Sequence, residues 1–130
     1  MAEREAISTA DAPAAVGPYS QAIRAGDLVF TAGQLGIDPG SGELAPGGIG
    51  AQAERALANL EAILVAAGSG LDSLVKVTVF LADIADWAAV NEVYARRIPQ
   101  PFPARSAFAV RELPRGALVE IEAVATVGRG

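Results

Sequence analysis

The sequence contains no cysteine and no histidine. Without cysteine, this chain can form no disulfide, no thiolate metal site and no cysteine nucleophile. Without histidine, it lacks the commonest general base and the usual zinc ligand, so a Ser-His-Asp triad cannot be assembled. Catalysis would therefore have to use carboxylates, arginine, tyrosine, lysine, hydroxyls or backbone amides.

Positive charge is also scarce. The chain has 10 Lys and Arg against 15 Asp and Glu, for a formal net charge of −5. Lys76 is the single lysine, and Arg96-Arg97 is the one adjacent basic pair. Nucleic-acid binders use clustered basic residues to displace counterions from phosphates, so DNA or RNA is disfavoured as the main partner.

The chain also lacks a long apolar run: no stretch approaches the ~20 residues of a membrane-spanning helix. Its start, Met-Ala-Glu-Arg-Glu, carries both charge signs and leads into no signal-like segment. We therefore expect a cytoplasmic protein with no membrane partner. A length of 130 residues predicts one domain over 1–130. Because the core is built from small aliphatic residues with few aromatics, oligomerisation is favoured.

Hydrophobic periodicity predicts strands, a helix, a strand, a second helix and two more strands. Gly26-Asp27 is typical of a tight hairpin turn between strands at 22–24 and 28–31. A helical stripe runs from Ile49 to Ala67, with Gly68 placed as a left-handed cap. A strand follows at 75–81, and Asp83 or Asp86 can cap a second helix. Late strands are predicted at 106–111 and 118–125. The simplest arrangement is one sheet with both helices on one face, leaving the other face for another subunit.

Alternation in the last strand places Glu120 and Glu122 on the face opposite Val119 and Ile121. On an open face, two glutamates are ordinary solvated charges. If a subunit covers that face, one of them becomes an acid or base whose pKa the environment can shift.

Arg105 lies where the proline-rich segment 99–103 becomes a strand. A guanidinium is a planar fork suited to binding a carboxylate. The alternative is a surface salt bridge, for example to Glu120 or Glu122. Tyr19 can cap a ligand or pack in its turn, and Asn91 can orient a ligand or serve the helix. Gly33 can expose its amide to a close neighbour.

Together these segments resemble the RidA family, also called YjgF-like proteins and formerly the L-PSP endoribonuclease family. The matching segments cover nearly the whole chain: Ala12 to Ala22; Gly33-Gln34 with Asp38-Pro39 and Gly42 to Leu44; Ala66 to Leu81 with Val90 to Tyr94; Pro103 to Ser106; and Val119 to Ala123. Each block is weak alone, but their order is specific.

The resemblance implies an α+β, chorismate-mutase-like fold, assembled as a homotrimer with ligand sites between subunits. It implies a 2-iminobutanoate/2-iminopropanoate deaminase that converts reactive enamine or imine acids to 2-oxo acids and ammonia, with no metal and no cofactor. By position, Arg105 corresponds to the carboxylate-binding arginine and Glu120 to the residue serving water. Tyr19, Asn91, Gly33 and Ala107 correspond to pocket positions, the last two through their backbone.

Three positions depart from the family pattern. Ala107 stands where many relatives have cysteine, and Ala32 where a serine is common. Arg97-Ile98 replaces a frequent aromatic pair, which could alter the rim or charge of the site. These changes bear mainly on substrate preference. A non-catalytic trimer that binds small carboxylates is the main alternative, and RNA cleavage, which the older name suggests, is a distant third.

Overall fold

The computed structural model describes residues 3–127, which form seven strands and two α-helices. In chain order these are β1 (Arg4–Ile7), β2 (Ala22–Ala25), β3 (Leu28–Thr31), β4 (Gln34–Leu35), α1 (Ile49–Ala66), β5 (Leu74–Leu81), α2 (Trp87–Arg97), β6 (Ala104–Ala109) and β7 (Val119–Thr126). Short 3₁₀ turns precede β5, α2 and β7.

The strands form one mixed sheet in the order β1-β2-β3-β7-β5-β6, and β4 also pairs with β7. β5 and β6 are parallel, with α2 in the connection between them, and the other pairs are antiparallel. Both helices contribute to the same hydrophobic core as the sheet. A single mixed sheet with two helices is the predicted α+β fold.

Alternation along β5 and β7 decides which residues meet the helices. Val77, Val79 and Leu81 are fully buried, as are Val119 and Ile121 opposite them. The apolar stripe of α1 packs onto this face: Ala53, Ala56, Leu57, Leu60, Ile63 and Leu64 are all fully buried. Removing this aliphatic surface from water is the main driving force for the layer arrangement.

The local turn signals are confirmed. Gly26 adopts a left-handed backbone in the two-residue turn joining β2 to β3, where a Cβ would be strained. Gly68 is left-handed just beyond α1, as predicted for the cap. The cap prediction is wrong for α2 itself: Asp83 caps the 3₁₀ turn before it by accepting from the Ala85 amide at 2.9 Å, and Asp86 makes no side-chain cap.

Some elements differ from the sequence prediction. β1 and the two-residue β4 were not predicted, because short strands carry too few residues to establish a period. β6 was predicted over 106–111 but spans Ala104–Ala109, because its pairing with β5 begins where Ala104 meets Lys76. The shift places Arg105 inside the strand.

The sheet face opposite the helices is open in the single chain. Phe30 and Phe108 on this face are each 45% exposed, and the Phe108 ring meets Phe80 edge-to-face at 5.3 Å. Lys76 Nζ donates to the Ser106 hydroxyl at 3.0 Å on the same side. Among residues 3–127, no helix is both long and apolar enough to cross a membrane.

Candidate active site

Arg105 points to the helix side of the sheet. In the parallel pairing of β6 with β5, Arg105 lies opposite the buried Val77, and Ser106 lies opposite Thr78. Paired residues share a face, so alternation separates Arg105 from the Ser106 side of the strand. Since β6 is an edge strand, the Arg105 side chain lies at the margin of the sheet, where it packs along one side of α2.

Three side chains of α2 contact the guanidinium. Arg105 Nη1 donates to Asn91 Oδ1 at 2.9 Å. The guanidinium carbon packs over the Trp87 ring at 4.5 Å and over the Tyr94 ring at 4.6 Å from their centroids. Within residues 3–127, no ion pair joins Arg105 to a carboxylate. Two aromatic rings and one amide therefore contact the guanidinium. Among residues 3–127, some of its N–H donors have no carboxylate partner.

Arg105, Asn91 and Tyr94 border a cavity of about 320 Å³, which is also lined by Ala95, Phe102 and Pro103. The arginine therefore opens onto a cavity and forms no ion pair within residues 3–127. A small organic acid fits in this volume, and the guanidinium is the cationic group in its lining.

Glu120 lies on the open face of the sheet, near its middle. It pairs with Phe80 of β5 on one side and with Leu35 of β4 on the other. Gly33, just before β4, lies against the Glu120 carboxylate: a Cβ at position 33 would overlap the carboxylate, 2.7 Å from its Cδ. Only glycine lets the backbone approach this closely.

Glu120 borders a second, larger cavity of about 900 Å³. Tyr19 and Gly33 line the same space, and Tyr19 Oη accepts a hydrogen bond from the Val16 amide at 3.3 Å. The rest of the lining is largely apolar, with Asp38 and Arg115 as further charged groups. Three of the predicted site residues are thus brought together here.

The environment of Glu120 favours its neutral form. Burial raises the pKa of this carboxyl above its ordinary value of 4.5, and the nearby Glu122 carboxylate raises it further. Within one chain both causes therefore act in the same direction, and Arg105 is not among them.

Arg105 and Glu120 therefore lie on opposite faces of one sheet and border different cavities. β5 separates their strands, so the suggested salt bridge from Arg105 to Glu120 or Glu122 on an adjoining strand is not formed. In a single chain the predicted site residues therefore fall into two groups, which we call half-sites: a cation with Asn91, and a carboxyl with Tyr19 and Gly33.

The three departures from the family pattern fall in different places. Ala32 lines the Glu120 cavity, so a hydroxyl is missing there. Ala107 pairs with Val79 and packs against the core, outside the lining of both cavities within residues 3–127. Arg97 bridges Glu54 and Glu61 of α1 at 3.2 and 3.1 Å, so its charge is compensated away from both half-sites.

Neither Trp87 nor Tyr94 was predicted from the sequence as a site residue. The sequence did contain a signal for their common orientation. Positions 87, 91 and 94 recur at four- and three-residue spacing, so both rings lie on the same face of the helix as Asn91. What the sequence did not show is that Arg105 packs against that face, because this depends on the position of β6.

Residues 9–127 match the family model described as Endoribonuclease L-PSP. The chain belongs to this family. Its RidA relatives include the 2-iminobutanoate/2-iminopropanoate deaminases of goat (Capra hircus) and human, which are 53% and 50% identical over 125 residues. Those alignments cover 96% of this chain and 91% of each relative.

Solved structures agree with the fold. RidA from an Antarctic Psychrobacter superposes with a TM-score of 0.91 at 46% identity, covering 95% of this chain and 99% of that one. Escherichia coli TdcF, solved with bound serine, gives a TM-score of 0.89 at 40% identity, covering 95% and 99%. Imine deaminases are therefore among its relatives of about half-identical sequence, and at least one structural neighbour holds a small amino acid.

Proposed function

We propose that this RidA-family chain hydrolyses 2-iminobutanoate and 2-iminopropanoate, or their enamine tautomers, to 2-oxo acids and ammonia. The observation that carries the proposal is the pair of half-sites: a guanidinium that forms no ion pair within residues 3–127 and faces one cavity, and a half-buried carboxyl that faces another. Relatives that are about half-identical and carry this activity in their names support the same reaction.

The chemistry suits the groups present. An imine carbon is already electrophilic, so the reaction needs a bound carboxylate, a placed water and proton transfer. Arg105 binds the substrate carboxylate. Glu120 takes a proton from a water molecule while the water oxygen bonds to the imine carbon. The C–N bond then breaks, nitrogen leaves as ammonia with the transferred protons, and the carbonyl forms. A Glu120 pKa raised above 4.5 brings this group closer to neutrality, where a general base works best.

Because one chain separates the two groups, we propose that the complete site forms between copies of a homotrimer. The β6 edge of one copy, carrying Arg105, would meet the Glu120 cavity of the next. Two features support this assembly: the exposed phenylalanines of the open sheet face, and the resemblance to a trimeric family. Tyr19, Asn91, Gly33 and the backbone of Ala107 then complete the pocket. The cytoplasmic location stays a prediction.

A coupled assay tests the reaction. A pyridoxal-phosphate dehydratase generates the imine from threonine or serine, and release of 2-oxo acid is followed with and without this protein. We expect acceleration by the wild type and its loss in Arg105→Ala and Glu120→Ala. Loss of the arginine clamp should cost about 2–5 kcal/mol of transition-state binding. Arg111→Ala and Glu43→Ala, which remove exposed charges outside both cavities, serve as matched controls and should keep wild-type rates.

Binding without turnover would favour a non-catalytic carboxylate-binding protein instead. RNA cleavage is tested with the same four variants. Cleavage that survives both Arg105→Ala and Glu120→Ala would come from another site or a contaminant and would not support the half-sites described above.

A further inference from the structure

The face of α2 turned toward β6 presents two aromatic rings and one amide. Trp87, Asn91 and Tyr94 lie on it at four- and three-residue spacing. All three contact the same group, the Arg105 guanidinium, at 4.5, 2.9 and 4.6 Å. We propose that Trp87 and Tyr94 are positioning residues, which hold the guanidinium so that its free N–H donors face the carboxylate of the ligand.

The geometry of a guanidinium explains why rings are suited to this task. Its five N–H donors lie in one plane, and its faces carry none. Rings packed over the cation attract it electrostatically without using any donor. Asn91 uses a donor on Nη1, and within residues 3–127 no carboxylate takes the others. The cation is therefore fixed in place while donors stay available to a carboxylate.

The alternative is that Trp87 and Tyr94 only fill the core. Tyr94 is 3% exposed, and its buried hydroxyl makes no well-formed hydrogen bond among residues 3–127. Burial raises the pKa of this hydroxyl, although Arg105 lies close enough to lower it against that effect. A buried hydroxyl without a well-formed hydrogen bond contributes little to stability, so phenylalanine should fill this space about as well. The ring, and not the hydroxyl, is what the positioning role requires. This difference separates the two interpretations experimentally.

The test rests on the proposed function only in assuming that Arg105 binds a carboxylate, so we measure binding separately from turnover. The probe is 2-oxobutanoate, with Kd obtained by calorimetry on the intact protein, alongside kcat and KM for the imine. Trp87→Leu and Tyr94→Leu should each raise Kd and KM roughly 2- to 30-fold, with a smaller effect on kcat. Trp87→Phe and Tyr94→Phe should restore binding to near wild type.

Val93→Ala is the matched control, because Val93 is buried on α2 but lies off the side of the helix that carries positions 87, 91 and 94. It should lower Tm and leave Kd unchanged. Leucine variants that bind like wild type, or a Val93→Ala variant whose Kd rises equally, would overturn the proposal. Trp87 is only partly buried, so Trp87→Leu provides the test if Tyr94→Leu does not fold.

A double-mutant cycle adds a readout that a structural role would not change. In an Arg105→Ala background, Trp87→Leu should have no further effect on Kd, because the group it positions is gone. An unchanged effect in that background would count against positioning. If the wild type binds 2-oxobutanoate but releases no 2-oxo acid from the imine, the deaminase proposal fails and this one is still decided by Kd. Failure of the wild type to bind any 2-oxo acid would refute it.

Discussion

Gly33 lies directly against the carboxylate of Glu120, with no room for a side chain between them. Glu120 lies in β7, and Gly33 directly precedes β4, which pairs with β7 beside Glu120. The glycine thus does more than permit a turn. It sets the position of the one carboxyl group in the larger cavity that is half-buried and has a raised pKa.

Gly33→Ala should therefore act on catalysis more than on folding. The new methyl group must displace the Glu120 carboxylate, and misplacing a reacting group costs about 100-fold in rate. We expect a fall in kcat/KM of that order in the coupled imine assay, with binding of 2-oxobutanoate less affected.

Gly50→Ala is its control, because a Cβ at position 50 meets nothing within 4 Å and the residue lies in α1. It should keep full activity and raise stability by about 0.4–1 kcal/mol. Equal activity of the two alanine variants would show that the Glu120 carboxylate does not need its present position.

The fall in kcat/KM at low pH, the acid limb of the pH–rate profile, should follow the titration of Glu120. If this residue acts as a base, kcat/KM falls as the pH drops through its pKa, which lies above 4.5. Glu122 is one of the two causes that raise this pKa, so Glu122→Gln should move the limb to lower pH. Glu43→Gln, an exposed residue, should leave it in place. A limb that stays fixed in Glu122→Gln would mean that another group titrates.

The same pKa shift predicts how stability varies with pH. Between 4.5 and the raised pKa of the folded state, folded Glu120 keeps a proton that the unfolded chain has lost. The folded state binds more protons in that window, so stability falls as pH rises through it. Glu120→Gln removes this loss. The variant should match the wild type in urea denaturation below pH 4.5 and be more stable at neutral pH; a variant less stable at neutral pH would contradict the sign.

Much of this fold can be predicted from local sequence patterns, because each pattern depends on a few neighbouring residues. The two-residue turn at Gly26-Asp27, the stripe of α1 with Gly68 beyond it, and the alternation around Glu120 all depend on neighbours within about one helical turn or one strand. Each is confirmed.

The sequence did not predict that Arg105 and Glu120 lie on opposite faces of the sheet. Their faces depend on β5 lying between β7 and β6, and on a parallel pairing that spans the whole of α2. Sequence spacing carries no information on such an order, and a one-residue shift in β6 would reverse the face of Arg105. For the same reason, the contact of Trp87 and Tyr94 with the guanidinium could not be predicted.

The open sheet face should mediate assembly. Phe108 is 45% exposed there and meets Phe80. Phe108→Glu would place a charge in the proposed interface, at a cost on the order of several kcal/mol per copy if left unpaired. Light scattering should then show monomers in place of trimers, together with loss of imine hydrolysis.

Val65→Glu introduces the same charge on the outer side of α1, where Val65 is 62% exposed. It should remain trimeric and active. A Phe108→Glu variant that stays trimeric would show that the copies meet through a different surface.

The proposal that Arg105 and Glu120 act from different copies has a quantitative test. Arg105→Ala and Glu120→Ala chains carrying different tags are co-expressed, and trimers containing both are isolated by successive purification on each tag. Around a closed ring of three, a mixed trimer has one junction at which an intact arginine meets an intact glutamate, whichever chain is in excess. Such trimers should therefore recover about one third of wild-type activity, although neither parent is active. Activity near zero would mean that each copy must supply both groups. The positions of the two residues on opposite faces of one sheet do not allow this without rearrangement. The proposal of a site shared between copies would then be refuted.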